Sequence, residues 1–169
     1  KHLESMGVTR ADFAFYPMDE PNSVMTAQTV IKTGKATRIA DPTILMYTNP
    51  TTGSPREMFL AMKPYIDIYC PSQELLRRDG SWLLPLLRTF DAQIWSYDAP
   101  GKAKMLSSFH IQRYFAWQAW VEGFKGIGHW VYAHHNPATT RWMADMREGV
   151  GAFFAVVYEG RGPVPSKRW

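Results

Sequence analysis

Five short apolar runs, with stretches of helical character between them, constrain the fold more than any other feature of this sequence. The runs cover residues 13–18, 43–48, 66–70, 93–97 and 128–132. Alternation of strands and helices is typical of βαβ units, whose strands are parallel and share one sheet. The sequence therefore predicts an α/β fold, and its 169 residues suffice to bury a substantial core.

Local signals predict where the intervening helices begin and end. The first helix is expected over residues 23–39. Ser54 followed by Pro55 predicts a second helix, with the serine as N-cap and the proline at the first helical position. A third helix is expected after Ser72, and a long one over residues 106–123 that ends at a glycine.

Two architectures agree with this pattern. One is a complete open parallel α/β sheet, and the other is the C-terminal part, about strands 4 to 8, of a (β/α)8 TIM barrel. No glycine-rich phosphate loop follows any predicted strand, whereas polar and aromatic residues follow every one, as on the catalytic face of a barrel. This favours the barrel, with residues 1–169 as a single catalytic segment truncated at both ends.

The first apolar run ends in two adjacent carboxylates, Asp19 and Glu20, followed by Pro21. Burying carboxylates is unfavourable unless they face water or a ligand, so their position indicates a wet cleft at the sheet edge. One protonated and one ionised acid in a shared pocket are what glycoside cleavage requires. The structural alternative is that both acids simply precede a helix, whose macrodipole favours negative charge.

The reaction type depends on what faces this pair. A conventional glycosidase needs a second carboxylate across the sugar, and only Asp98 follows another strand in a suitable place. Without such a residue, the 2-acetamido group of the substrate can act as the nucleophile while a neighbouring aspartate orients it. That second scheme restricts the substrate to N-acetylhexosamines, and both schemes stay open.

Aromatic residues make up 14% of the chain, more than core packing usually needs, which suits a surface that stacks sugar rings. Six residues near the strand ends are the expected substrate contacts: Tyr16, Asn49, Trp95, Tyr97, Trp130 and Tyr132. Trp95 and Tyr97 share one side of their strand, as do Trp130 and Tyr132. The same alternation would also be expected if these side chains simply packed in the interior of a barrel.

Composition and spacing argue against several other classes of protein. The net charge is +4, but the basic residues are scattered, so we expect no nucleic-acid partner. No apolar run approaches the ~20 residues of a membrane span. Cys70 is the one cysteine and is expected to be a buried thiol. His129, His134 and His135 lack a recognisable ligand spacing, so we expect no metal and no cofactor.

Several segments together resemble a known family. They are Tyr16-Pro17-Met18-Asp19-Glu20-Pro21, Ile94-Trp95-Ser96-Tyr97, Trp117-Gln118-Ala119-Trp120, Gly123-Phe124-Lys125-Gly126 with Trp130, and Ser166-Lys167-Arg168-Trp169. Their order and spacing resemble the β-N-acetylgalactosaminidases of glycoside hydrolase family 123 and their uncharacterised relatives. The resemblance extends over nearly the whole chain.

The resemblance implies a (β/α)8 barrel in which the acid pair follows the fourth strand, so that the missing part of the barrel would be a partner of this segment. It also implies a glycosidase of carbohydrate metabolism that removes terminal N-acetylgalactosamine with retention of configuration. Asp19 would orient the acetamido group through an oxazolinium-like intermediate. Glu20 would protonate the leaving oxygen and then activate water.

The partner implied by the resemblance is a glycan or glycoconjugate, and the implied location is extracellular or periplasmic. A carbohydrate-binding barrel without turnover remains the alternative from a different functional class.

Overall fold

The computed structural model describes residues 2–98 and 113–129, together with the backbone of two short strands at 157–158 and 164–165. It divides into two compact units, Lys1–Ser96 and Tyr97–Trp169. The predicted contacts Trp130 and Tyr132, the histidines His134 and His135, and residues 106–112 of the predicted long helix lie outside the described residues.

Helices and strands alternate through the first unit. In chain order they are α1 (His2–Ser5), a 3-10 turn (Arg10–Asp12), β1 (Ala14–Phe15), α2 (Val24–Ala40), β2 (Leu45–Thr48), α3 (Arg56–Met62), β3 (Ile68–Tyr69) and α4 (Gln73–Leu87). Strand β4 (Gln93–Asp98) continues into the second unit, which contains α5 (Phe115–Glu122), β5 (Gly126–His129), β6 (Val157–Tyr158) and β7 (Val164–Pro165).

Strands β1 to β5 belong to one sheet, in which their order follows their order along the chain. The pairs β1–β2, β2–β3 and β3–β4 are parallel, whereas β6 and β7 form a separate antiparallel pair. The α/β fold with a parallel sheet is therefore confirmed, in agreement with the open-sheet alternative.

Strands β1, β2 and β3 are shorter than their apolar runs, and β2 begins at Leu45 instead of residue 43. β1 contains only Ala14 and Phe15, because Pro17 has no N–H with which to continue the ladder. β3 contains only Ile68 and Tyr69, although the Cys70 N–H still donates to the Thr48 carbonyl at 2.8 Å. β5 begins two residues before the predicted strand.

Serines begin two of the helices as predicted. Ser23 forms a capping box with Thr26 at the start of α2, and the Ser72 hydroxyl accepts a 3.1 Å hydrogen bond from the Leu75 N–H in α4. The prediction that Ser54 caps α3 is wrong. Pro55 is the N-cap there, because the Ser54 hydroxyl instead donates to backbone carbonyls in the preceding loop and at the end of the loop after β1.

The sheet of the first unit has two chemically different faces. Met46 and Tyr69 lie on the face that contacts the helices, here called the helix face: Met46 approaches Gly34 of α2, and Tyr69 packs against Phe59 of α3. Strand alternation and register put Tyr47, Ile68 and Gln93 on the opposite face, here called the aromatic face.

The core lies between the sheet and its helices. Tyr69 is fully buried, and its ring lies 6.2 Å from that of Phe59 and 5.6 Å from that of Phe90. Cys70 is buried as predicted, and burial raises the pKa of its thiol to about 11, because a thiolate would be poorly solvated there. Cys70 is thus a core residue that remains a neutral thiol near neutral pH.

An ion pair joins α2 to the amino ends of the strands. The Arg38 guanidinium donates to Asp67 Oδ2 at 2.6 Å and to the carbonyls of Ile44 and Tyr65 at 3.0 and 3.1 Å. The same carboxylate oxygen accepts from the Met46 N–H at 2.7 Å. This network lies at the amino ends of the strands, whereas Asp19 and Glu20 lie at the carboxyl ends.

Gly34 allows α2 to pack closely. A Cβ at this position would lie 2.6 Å from the Tyr65 Cβ, so we expect Gly34→Ala to lower the free energy of unfolding by about 1–3 kcal/mol. Gly80→Ala in α4 is the matched control: a Cβ there meets nothing within 4 Å, and the helix should gain about 0.5–1 kcal/mol. Urea denaturation measures both, and equal stability of the two variants would contradict the packing of α2.

Candidate functional site

The loops at the carboxyl ends of β1, β2 and β3 are connected by one repeated interaction. A proline follows each strand, and its carbonyl accepts a hydrogen bond from a serine further along the chain. The three bonds are Ser54 Oγ to Pro21 O at 3.0 Å, Ser72 N to Pro50 O at 3.0 Å and Ser96 Oγ to Pro71 O at 2.9 Å. Each loop is therefore held against the next, which gives the sheet edge a defined shape.

Asp19 and Glu20 lie at this edge, in the loop between β1 and α2. Both residues are exposed, while the adjacent Pro21 is fully buried and anchors the loop. Glu20 has φ +44°, a left-handed conformation that is unfavourable for a residue with a side chain. The chain therefore turns sharply between the two acids, and they do not follow the alternation of a regular strand.

Two donors converge on one oxygen of Asp19. The Tyr16 hydroxyl donates to Asp19 Oδ1, and Asn49 Nδ2 donates to the same atom at 2.9 Å. Asn49 directly follows β2, and its Oδ1 accepts a 3.0 Å hydrogen bond from the Glu20 N–H. A single side chain thus contacts both members of the acid pair, across the gap between two parallel strands.

These contacts shift the pKa values of Asp19 and Tyr16 in opposite directions. The hydrogen bonds from Tyr16 and then Asn49 hold the pKa of Asp19 below its ordinary value, because they stabilise the charged carboxylate. The pKa of Tyr16 is raised, first by burial and then by its bond to the Asp19 carboxylate. Near neutral pH the site therefore contains an ionised Asp19 and a neutral, donating Tyr16.

An aromatic row continues from this cluster down the aromatic face. The rings of Tyr16 and Tyr47 lie 5.2 Å apart and nearly perpendicular, and that of Tyr47 lies 6.3 Å from that of Trp95. These rings line a hollow of about 340 Å³ together with Leu45, Ile68 and other residues of the same face. Its lining also includes the polar side chains of Asp12, which precedes β1, and Gln93, the first residue of β4. Largely apolar walls with a few polar groups are typical of ligand sites.

Four of the predicted site residues come together: Tyr16, Asp19, Glu20 and Asn49. Trp95 lies further along the aromatic row. Tyr97 belongs to the second unit, where it is half-buried and lies beside Gly128 of β5.

Asp98 is 8% exposed and points to the other side of β4 from Tyr97.

Tyr47 was missed by sequence reasoning. No acidic residue lies in its strand, and it comes before the polar residues at the strand end, where site residues are expected. The available signal was its alternation with Met46 and Thr48, which assigns it to the face opposite the helices.

Within the described part of the chain, no group of three or more histidine, cysteine, aspartate or glutamate side chains is arranged to hold a metal ion. No helix among these residues has both the length and the apolar character needed to cross a membrane.

Comparisons with known proteins found no significant match: no family model, no curated protein and no solved structure is similar to this chain. The chemistry of the site therefore has to be inferred from its own residues.

Removal of the Tyr16 hydroxyl tests the geometry of the acid pair. We expect Tyr16→Phe to raise the pKa of Asp19 towards its ordinary value, because one of the two donors to Oδ1 is lost. Carboxyl ¹³C NMR titration measures this value. Asp12 is the internal control, since its pKa is lowered by Thr9 alone and should not move. An unchanged Asp19 titration would contradict the convergent bonds.

The same variant has an expected pH signature in stability. A pKa that is lower in the folded state adds stability above the unfolded value, about 3.9 for aspartate, and this stability disappears as the pH falls through the folded value. Part of the destabilisation by Tyr16→Phe should therefore be present at neutral pH and absent in acid. Urea denaturation at a series of pH values measures it.

Proposed function

We propose that this chain belongs to a glycoside hydrolase that removes a terminal N-acetylhexosamine, N-acetylgalactosamine being the sugar that the family resemblance favours. The observation that carries the proposal is the convergence of Tyr16 and Asn49 on one oxygen of Asp19, beside the exposed carboxylate of Glu20. An oriented, ionised acid next to an acid open to solvent suits substrate-assisted cleavage.

In the proposed mechanism, Asp19 accepts a hydrogen bond from the acetamido N–H and orients the group. The acetamido oxygen attacks the anomeric carbon as the glycosidic bond breaks, and Glu20 protonates the departing oxygen. The product is an oxazolinium ion, whose positive charge the ionised Asp19 stabilises. Glu20 then accepts a proton from water, which attacks the anomeric carbon and restores the acetamide with net retention.

The sheet is proposed to be part of a (β/α)8 barrel. Its first four strands are ordered as in the chain, and right-handed crossovers in one direction would put every helix on the same face. Contacts of α2 with Met46 and of α3 with Tyr69 agree with this. The aromatic face, which carries the hollow, would then be the barrel interior, and Asp19 and Glu20 would lie on the catalytic rim.

A second candidate is a carbohydrate-binding barrel without turnover. The row formed by Tyr16, Tyr47 and Trp95 favours it, because aromatic rings bind sugar faces whether or not acids act on the substrate. A conventional mechanism with Asp98 as nucleophile has less support, since Asp98 shares its strand side with Ser96, whose hydroxyl bonds to the Pro71 carbonyl.

The decisive substitution is Glu20→Gln. We expect it to lower kcat/KM for an alkyl N-acetylhexosaminide by about a hundredfold to ten-thousandfold, because the leaving oxygen can no longer be protonated. A 4-nitrophenyl N-acetylhexosaminide should lose less activity, since its leaving group needs little help. Glu57→Gln, a change at an exposed position in the first turn of α3, is the matched control and should retain full activity.

The alternatives give different results in the same assay. Equal losses on both substrates, or full activity of Glu20→Gln, would exclude Glu20 as the general acid. Hydrolysis of a hexoside without the 2-acetamido group would indicate the Asp98 mechanism. Calorimetric binding of N-acetylhexosamines by a wild-type chain that hydrolyses none of them would support the binding-only candidate.

A further inference from the structure

The side chain of Asn49 bonds to both members of the acid pair. It lies directly after β2 and before the buried Pro50, and it is only 8% exposed. Its Nδ2 is 2.9 Å from Asp19 Oδ1, and its Oδ1 is 3.0 Å from the Glu20 nitrogen. Both polar ends of its amide are therefore used within the protein.

We propose that Asn49 is a positioning residue, which sets the carboxylate of Asp19 and the backbone of Glu20 in one fixed relation and does not contact the sugar. This inference rests on the proposed function. It assigns to Asn49 a role different from the substrate contact that its position at a strand end predicts.

The amide is chemically suited to this role in only one orientation. The Glu20 N–H can only donate and the ionised Asp19 carboxylate can only accept, so the amide oxygen must face Glu20 and the amide nitrogen must face Asp19. No other side chain of the same size supplies an acceptor and a donor in this way. Aspartate, which has the same shape, would put a second negative charge against Asp19.

The bond to the Glu20 N–H fixes the less stable part of the loop. A left-handed residue with a side chain is unfavourable and persists only where its surroundings hold it. Asn49 holds the nitrogen of Glu20, and the buried Pro21 holds the following residue. Without the amide, Glu20 could return to negative φ, and its carboxylate would leave the position from which it serves the leaving group.

The bond to Asp19 determines which of its oxygens is presented to the substrate. Tyr16 and Asn49 both donate to Oδ1, and neither of these two bonds uses Oδ2. We infer that the acetamido N–H of the proposed mechanism donates to Oδ2. Asn49 would thus act on the rate of the chemical step through orientation and leave sugar affinity largely unchanged.

The experiment compares Asn49→Asp and Asn49→Ala with the wild-type chain. We expect the pKa of Asp19 to rise in both, and by more, about one unit or above, in Asn49→Asp, because two carboxylates then face each other. The backbone amide resonance of Glu20 should shift in Asn49→Ala. On an N-acetylhexosaminide, kcat should fall about tenfold to a hundredfold, with KM little changed.

The matched control is Asn22→Asp, which adds the same charge to an exposed asparagine in the loop that contains Asp19 and Glu20. It should leave kcat, KM and the Asp19 titration near their wild-type values. Thermal melts show whether each variant is folded, and Asn49→Asp retains the packing of the native side chain if Asn49→Ala does not fold.

Two results would overturn the proposal. One is an Asp19 titration and a Glu20 amide resonance that are unchanged in the folded variants. The other is a rise in KM with unchanged kcat, which would make Asn49 a sugar contact. If the wild-type chain hydrolyses no N-acetylhexosaminide, the proposed function fails, while the titration and the amide resonance still show whether Asn49 positions the two acids.

Discussion

The carboxyl edge of the parallel sheet depends on hydrogen bonds that begin where the strand ladders stop. Backbone groups past a strand end lose their ladder partners and need new ones if they are buried. Proline reduces this requirement, since it has no N–H and leaves only a carbonyl to be satisfied. The serine bonds to Pro21, Pro50 and Pro71 supply those partners. The first two join one loop to the next, and the third joins a loop to β4.

Hydrogen bonds and a buried proline also position the charged groups at this edge. Asp19 and Glu20 extend from a loop whose next residue is buried, and Asn49 extends from the neighbouring strand, so the three are aligned by the spacing of parallel strands. The helix face supplies the packing, through Phe59, Tyr69 and Phe90. The core packing is on the helix face and the acids are at the carboxyl edge, so the acids can be exposed without disturbing the core.

Much of the fold could be predicted from local sequence, because apolar runs, serine caps and a terminal glycine act over a few residues. Ser23 and Ser72 cap the expected helices, and Gly123 ends α5 with φ +75°. The prediction for Ser54 is wrong because its hydroxyl donates to the carbonyl of Pro21, thirty-three residues earlier in the chain. The position of Asp19 at a strand end could likewise be read from the sequence, and local alternation indicates the face on which Tyr47 lies. The bonds of Asn49 to the acid pair depend on which strands are neighbours, which no local pattern reveals.

The left-handed turn at Glu20 has a consequence for how the sequence can change. Glycine would adopt φ +44° without penalty, so the backbone alone favours loss of the acid at this position. Under the proposed function, replacement of Glu20 by glycine would therefore give a chain that is more stable but does not hydrolyse its substrate. The acid at this position would then represent a trade-off, in which conformational stability is given up for the direction in which one carboxylate points.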